Sequence, residues 1–584
     1  MARALRAAFM AVTAAGGLAL AAQPAQAATL CVGSGPGCYP SIQAAVNAAH
    51  DGDTITIGPG TFAGGVTITT SVQLRGAGSA ATIIRGGGPV LTIGTFGASS
   101  ELTVSISSVT ITGGVTRSSP ESVPFTGVDG ALAAGGGVEI PPDASMLSGA
   151  TVTISNSMIT GNHVDPSATV PSGIPCPGFS DGQCPFASAV GGGIDSWGHL
   201  TLVNTTVSRN TLGAAAGLPP LSSDNDGAGI TSDQGSLTLD GATVTGNQAV
   251  AAMPNGRFAE GGGIYVGLGG SGGDVLTVRH SVISGNTASL TSDFPSFFGG
   301  QLIPLQANDG GIHVDDGNPT SIENSAITGN VAMGIGLQGE AESIDAAMST
   351  GDSPLDIANT VISGNTSISK SGTTTDVGPG GDAIEVDGGG TISNSAITGN
   401  VSAIVSPDGT ATVVGALGIY NFTNDPKLLT VQNTTITGNM LSASTRTGTA
   451  TVQGAGIFNN SLLELIGDTV SNNSGTAIGP AGAAQGGGIW NGVDLSGPPV
   501  QLTVVRTAVT RNALAGSPGV TLQGGGLYTT LPVTVTDSLI AGNIPDQCFG
   551  CSSSAAISAG QQAHANSQTG RRPTPRDHHF ALPG

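Results

Sequence analysis

Aromatic residues make up 3% of this chain and charged residues 9%, and 584 residues with so few large rings do not suggest a conventional globular core. Basic residues are scarce: 16 Lys and Arg stand against 38 Asp and Glu, for a formal charge of −22. That balance argues against nucleic acid and anionic membrane surfaces as partners. It also disfavours a bare polyanionic substrate unless a divalent cation bridges the two. Beyond the N-terminus no apolar run is long enough to span a bilayer, so stable membrane insertion is not expected. What is abundant is Gly, at 95 residues, with short runs of Thr, Val and Ile punctuated by Gly and Asn. Such runs read as strands and turns.

Eleven times a short phrase returns and closes on asparagine, from Asn162 and Asn210 through Asn286, Asn330 and Asn365 to Asn543. Three residues before each stands Ile or Val, as in Ile283, Ile327 and Ile362. Recurrence every 31 to 48 residues marks a solenoid, in which each repeat buries its apolar face against its neighbours. In the copy from Gly261 to Asn286, alternation turns Ile264, Val266, Leu276, Val278 and Ile283 to one side. Three short strands joined by tight bends make one coil of a three-sided parallel cylinder, and coils stack at ~4.8 Å. A second asparagine recurs six residues before the closing one (Asn156, Asn204, Asn324, Asn359, Asn394, Asn433). Stacked at a fixed bend, these amides are expected to form a hydrogen-bonded ladder.

A three-strand coil with such a ladder resembles the right-handed parallel β-helix of the pectate-lyase-like superfamily. The Gly-Gly-x-Ile openings and Asn-Ser/Thr-x-Ile-Thr-Gly-Asn phrases are similar to repeats of the polymorphic outer-membrane adhesin family and related exported proteins. The resemblance covers residues 41–545. It implies an all-β fold and leaves function open, because the superfamily hosts lyases, hydrolases, esterases and non-enzymatic adhesins.

Arg3 and Arg6, the apolar stretch after them and Ala25-Gln26-Ala27 read as an export signal over residues 1–27, so a secreted protein is expected. Residues 28–53 are assigned to an N-terminal cap, with a short amphipathic helix of Ile42, Ala45, Val46 and Ala49 and Ser41 as its N-cap. The solenoid is expected over 54–551, beginning at Thr54, and a disordered tail over 552–584. Six cysteines fall into local pairs: Cys31 with Cys38, Cys176 with Cys184, and Cys548 with Cys551. In an oxidising compartment they can close as loop-pinning disulfides. Cys548-x-x-Cys551 also has the spacing of redox and zinc sites.

The long connections fall between a closing Asn and the next Gly-rich opening, so they are expected to pile up as a wall on one side. In the pectate-lyase-like superfamily the strand after that bend usually lines the substrate groove, which directs attention to the residue after each opening Ile. This outward column is read as Glu139, Asp195, Thr231, Tyr265, His313, Asp345, Glu385, Tyr420, Phe458, Trp490 and Tyr528. Tyr265, Tyr420, Phe458, Trp490 and Tyr528 can present ring faces to sugars. Equally, stacked rings can stiffen a sheet beneath the wall. His313, Asp315, Asp345 and Glu385 are the candidates for acid/base chemistry, carboxylates on adjacent coils lying ~5 Å apart and on alternate coils ~10 Å. Asp315, Asp316 and Asp387 could hold calcium, although no cofactor is required; solvated acids without a role are the plain alternative. Against catalysis, the paired-Asp and Gly-His-Gly signatures of polygalacturonases are missing and no Arg falls in the column. The function expected is a monomeric, non-catalytic, secreted protein presenting a groove to polysaccharide or a cell-surface glycan. The alternative is a polysaccharide lyase or glycoside hydrolase using the acidic cluster.

Overall fold

The computed structural model describes residues 27–551, apart from 98–100, 118, 121–130, 145–148, 166–185, 214–221, 253–255, 268–274, 293–295, 299–300, 304, 316, 337–340, 372–376, 420–426 and 494–499. The export signal, the tail, Asp316, Tyr420, Cys176 and Cys184 therefore lie outside the described residues, save for Ala27.

Short β-branched runs recur along the chain, and each pairs with the equivalent run one coil later. Three long parallel sheets result. Sheet A has 15 strands, from Thr29–Val32 to Val533–Thr536; sheet B has 14, from Gly60–Ala63 to Leu539–Ala541; sheet C has 14, from Val66–Ile68 to Cys548–Phe549. The chain visits C, A and B in turn, which makes it a parallel β-helix. Ile283 pairs with Ile327 and Ile327 with Ile362, all fully buried. The inward positions of the Gly261–Asn286 coil are likewise buried, and together these residues form one continuous core.

The ladder belongs to a different asparagine from the one expected. The bend residues Asn156, Asn204, Asn324, Asn359, Asn394 and Asn433 are exposed and hold φ between 47° and 51°, a left-handed conformation that Asn tolerates. The closing asparagines are the buried ones. Each Nδ2 donates to the next Oδ1 at 2.9–3.0 Å, from Asn162 through Asn286 and Asn330 to Asn543. The second Nδ2 proton goes to a backbone carbonyl, as from Asn330 to Ile283 at 3.1 Å. Gln547 ends the ladder, its Oε1 accepting from Asn543 Nδ2 at 3.1 Å. The opening glycines make room for it: a Cβ on Gly193 would lie 2.8 Å from Asn210 Nδ2 and 2.5 Å from the Gly229 carbonyl.

One column carries hydroxyls. Ser281, Ser325, Thr360, Ser395, Thr434 and Thr507 each donate to the carbonyl two residues back. Asp468 interrupts them, accepting from Thr434 N at 2.7 Å and Ile466 N at 2.8 Å. Burial pushes its carboxyl up to about 7, despite those two hydrogen bonds. A carboxyl raised in the folded state binds a proton there that the unfolded chain, near 3.8, does not hold. Stability from this group therefore grows as pH falls through about 7 toward 4. Asp468→Ser restores the hydroxyl and should flatten that slope, raising the melting temperature at pH 8 more than at pH 5; equal shifts at both would refute the assignment.

At the N-terminus, helix Ile42–Ala48 is capped by Ser41, whose Oγ accepts from Ala44 N at 3.2 Å, and it buries Ile42, Ala45 and Val46. The first strand of sheet A is Thr29–Val32 rather than Thr54–Ile57, and a Cys31–Cys38 disulfide ties it to the segment before the helix. Cys548 and Cys551 are also bonded.

The wall is not made of loops. From Val115 on, and after each closing Asn from Asn162 to Asn512, the chain runs through sheet D (11 strands, Val115–Arg117 to Ala513–Gly516). It returns through sheet E (seven strands, Ser119–Pro120 to Ala341–Ile344) or sheet F (five strands, Val377–Gly380 to Val520–Gln523). These sheets form a flanking layer with its own thin cores, one around Ala189, Ala249, Ala288 and Ala307, the other around Ala443, Ala450, Val452 and Ala484. Alternating alanines in the connections were the sequence signal for it. They pack because two sheets with small inward side chains can approach closely.

Candidate functional site

Strand pairing in sheet C sets the outward column as Glu139, Asp195, Thr231, Tyr265, His313, Ser349, Glu385, Gly418, Phe458, Trp490, Tyr528 and Phe549. Two expected members are corrected. Asp345 stands three residues before Met348, at φ 53°, in the bend column where Gly261 and Gly454 stand in other coils. The opening strand of its coil is Met348–Thr350, and Ser349 takes the column place. Tyr420 is displaced by Gly418, because Leu417 and Ile419 are the inward pair and a strand alternates its faces.

The aromatic half of the column is not an open platform. Phe458 is fully buried and Trp490 is 4% exposed, clustered with Val414 and half-buried Tyr528. The rings stack face to face, at 4.5 Å for Phe458–Trp490, 6.3 Å for Trp490–Tyr528 and 5.2 Å for Tyr528–Phe549. Trp490 and Tyr528 have a ring on each face and Phe458 is fully buried, so none of the three offers a free face to a sugar, and the stack favours the stiffening reading.

The polar half is a connected array. His313 sits between two carboxylates, Nδ1 2.7 Å from Asp309 Oδ2 and Nε2 3.1 Å from Asp315 Oδ1. Tyr265 donates its hydroxyl to Asp315 Oδ2 at 2.9 Å, and its ring stacks on the imidazole at 5.2 Å. Ser349 donates to Asp309 Oδ2 at 2.5 Å. Burial alone would lower His313, but Glu260, Asp309 and Asp315 outweigh it and hold the ring protonated well above its usual range. Both ring nitrogens are then donors, so His313 is an imidazolium clamp rather than a free base. Burial would raise Asp315, yet the bonds from His313 and Tyr265 bring it below the ordinary carboxylate range. Burial carries Asp309 up to about 6 against its bonds to His313 and Ser349, and burial with the nearby Asp315 charge carries Asp233 up to about 7.

One coil further on, carboxylate oxygens of Asp345, Asp382 and Glu385 all lie within 4.8 Å of one another. Asp345 is fully buried and neither of its oxygens has a hydrogen-bond partner. Burial first, then the Glu385 charge, pushes its carboxyl well above the usual range, and burial also raises Glu385. The expected quartet thus splits: His313 joins Asp315, and Asp345 joins Glu385. Asp315 and Asp387 do not converge as a calcium pair, since their strands are separated by the Met348–Thr350 strand. Sequence reasoning missed Asp309, Ser349 and Asp382. Aligned on the repeat, Asp-Gly-Gly-Ile and Asp-Ala-Ala-Met in place of Gly-Gly-Gly-Ile were the visible signal.

No protein-family model matches the sequence, and no curated protein sequence matches it. Solved structures do. The chain is similar to parallel β-helix proteins. One is the A-module of mannuronan C-5 epimerase AlgE4 from Azotobacter vinelandii, at 12% identity over 88% of this chain and 93% of that one, with TM-score 0.25. Another is a PL6 alginate lyase in complex with a trisaccharide, at 13% identity over 91% and 89%, with TM-score 0.26. The A-module of the epimerase AlgE6 from the same organism follows at 12% identity over 88% and 92%, with TM-score 0.22. Among the described residues no helix is long and apolar enough to cross a membrane.

Proposed function

We propose that this is a secreted, monomeric, right-handed and three-sided β-helix that binds a polysaccharide or cell-surface glycan along the outer face of sheet C, between Tyr265 and Glu385. The observation that carries the reading is the half-buried row of Tyr265, His313, Asp315 and Glu385, where the Tyr265 and His313 protons are spent inside the row and fix a line of oxygen acceptors. The hydroxyl groups of a glycan can donate to such a line. The acidic charge of the whole chain favours a neutral or amine-bearing glycan over a polyanion. The binding surface is moved here from the aromatic rings, and it needs no cofactor.

A catalytic reading rests on a separate observation. Asp315 is held ionised while Glu385 is pushed toward its protonated form. Their coils are two steps of ~4.8 Å apart, and Asp315 stands two residues along the chain from His313, the position in register with Glu385. Divergent protonation states are what a base and an acid need. Retention and product release should therefore be measured on neutral, cationic and anionic polysaccharides, with and without EDTA, for the native chain, Asp315→Asn and Glu385→Gln. The binding reading expects retention of a neutral or cationic glycan, weakened at least about tenfold by Asp315→Asn, a loss of ~1.4 kcal/mol. Products that vanish in Glu385→Gln would establish the enzyme instead. Native protein that neither retains nor cleaves any glycan would end both.

A further inference from the structure

The return side of the flanking layer is broken in one place while sheet D runs on unbroken, and the break coincides with the Asp345 cluster. Sheet E ends at strand Ala341–Ile344, and sheet F begins at Val377–Gly380 in the next coil. These two strands are neighbours, yet each pairs only with its own sheet, with strands Leu305–Asn308 and Ala411–Val414 respectively. The sequence Val377-Gly378-Pro379-Gly380 explains the gap, since Pro379 has no N–H to give a ladder and the glycines weaken the strand. The pairing of Val377–Gly380 with its own sheet is itself irregular in register.

The interior of the layer changes at the same coil. On either side it is packed with Ala, Val and Leu. Here it holds buried hydroxyls: Ser343 Oγ lies 2.6 Å from Ser367 Oγ and 3.1 Å from Ser369 Oγ. Sheet D carries its pairing through this coil, from Val331–Gly336 to Thr366–Ser371 and on to Val401–Ser406, but on the return side no strand pairing joins Ala341–Ile344 to Val377–Gly380. Immediately after each of the unpaired strands stands a carboxylate of the cluster, Asp345 after Ile344 and Asp382 after Gly380-Gly381. Glu385 follows on the sheet C strand Ile384–Val386.

A buried carboxyl with no N–H or hydroxyl donor at either oxygen is costly; Asp345 is such a group, its one neighbour for sharing a proton being the Glu385 carboxyl, and one of its oxygens lies within 4.8 Å of an oxygen of Asp382 and of Glu385. A divalent cation would repay that cost. The donor set is all oxygen, which suits calcium; with Ca–O near ~2.4 Å, two ligands of one ion can stand up to ~4.8 Å apart. We propose that Asp345, Asp382 and Glu385 bind a calcium ion that clamps the end of sheet E to the start of sheet F across the gap between Ala341–Ile344 and Val377–Gly380. The ion takes the place of the missing ladder by holding the ends of both strands. This clamp does not depend on the glycan reading, and its test reads no glycan.

Full-length secreted protein is stripped with EDTA and returned to calcium at about 1 mM, in the range that extracellular modules bind. Amide hydrogen exchange is followed in peptides spanning 341–350 and 377–386. Calcium should slow exchange in both segments at least about tenfold, which is the linkage expected for a site filled about tenfold above its dissociation constant. Asp345→Asn should abolish this protection. It should also melt no lower than the native chain in EDTA, because it removes one buried charge from a crowded group. Asp356→Asn, an exposed acid on sheet A, should leave the protection intact. The clamp is overturned if calcium protects neither segment, or if the protection survives in Asp345→Asn. Equal protection by magnesium would overturn the assignment to calcium.

Discussion

Asn330→Ala should destabilise the middle of the solenoid by about 4 kcal/mol or more, the largest loss expected from any single substitution outside the hydrophobic core. Asn330 Oδ1 accepts from both the backbone N and Nδ2 of Asn286, at 3.0 Å each. Its Nδ2 donates to the Ile283 carbonyl at 3.1 Å and to Asn365 Oδ1 at 3.0 Å. Alanine removes four buried hydrogen bonds at once and leaves the Asn286 backbone N–H without its acceptor. Because each coil is held by its neighbours, the damage should be local at first. Exchange and limited proteolysis should open residues between Ile283 and Asn365 before the ends of the helix respond. A variant that keeps native protection there would show the ladder to be dispensable.

Trp490→Ala should cost about 3–5 kcal/mol, as removal of a large buried ring does. Its ring lies between Phe458 and Tyr528, with Nε1 3.4 Å from Gln485 Oε1. Trp490→Phe keeps a ring in the stack and should recover most of that loss. The decisive comparison is between melting and glycan retention. If Trp490→Ala melts like the native chain but no longer holds a polysaccharide, the rings are a binding platform and the stacking assignment is wrong.

The two substitutions show which parts of this protein were legible beforehand. The repeat announced its buried column through Ile283, Ile327 and Ile362, since an inward position in a stack must be apolar in every coil. It also showed the closing asparagines, but not which of two asparagine columns formed the ladder. The closing Asn recurs in all eleven repeats and the bend Asn in six, but it is burial that separates a satisfied amide from an exposed left-handed bend. Ser41 as a cap was readable because a cap acts within three residues. Asp345 and Tyr420 were misplaced because their coils lack the Gly-Gly opening that marks the register; the column place falls four residues later, at Ser349, and two residues earlier, at Gly418.

Periodicity and composition by themselves determined a stacked parallel solenoid with an aliphatic interior, because a pattern repeated in every coil can be satisfied only by stacking like on like. Only the tertiary structure decided that the connections fold into a second layer, that Phe458 and Trp490 lie beneath it, and that Asp309 meets His313 while Asp345 meets Asp382 and Glu385. The Asp345 contacts depend on register between neighbouring coils, and the Asp309–His313 contact, four residues apart in one coil, depends on a bend that takes an acid instead of glycine. No local rule carries that information, because the energy that selects it arises only when neighbouring coils are in place.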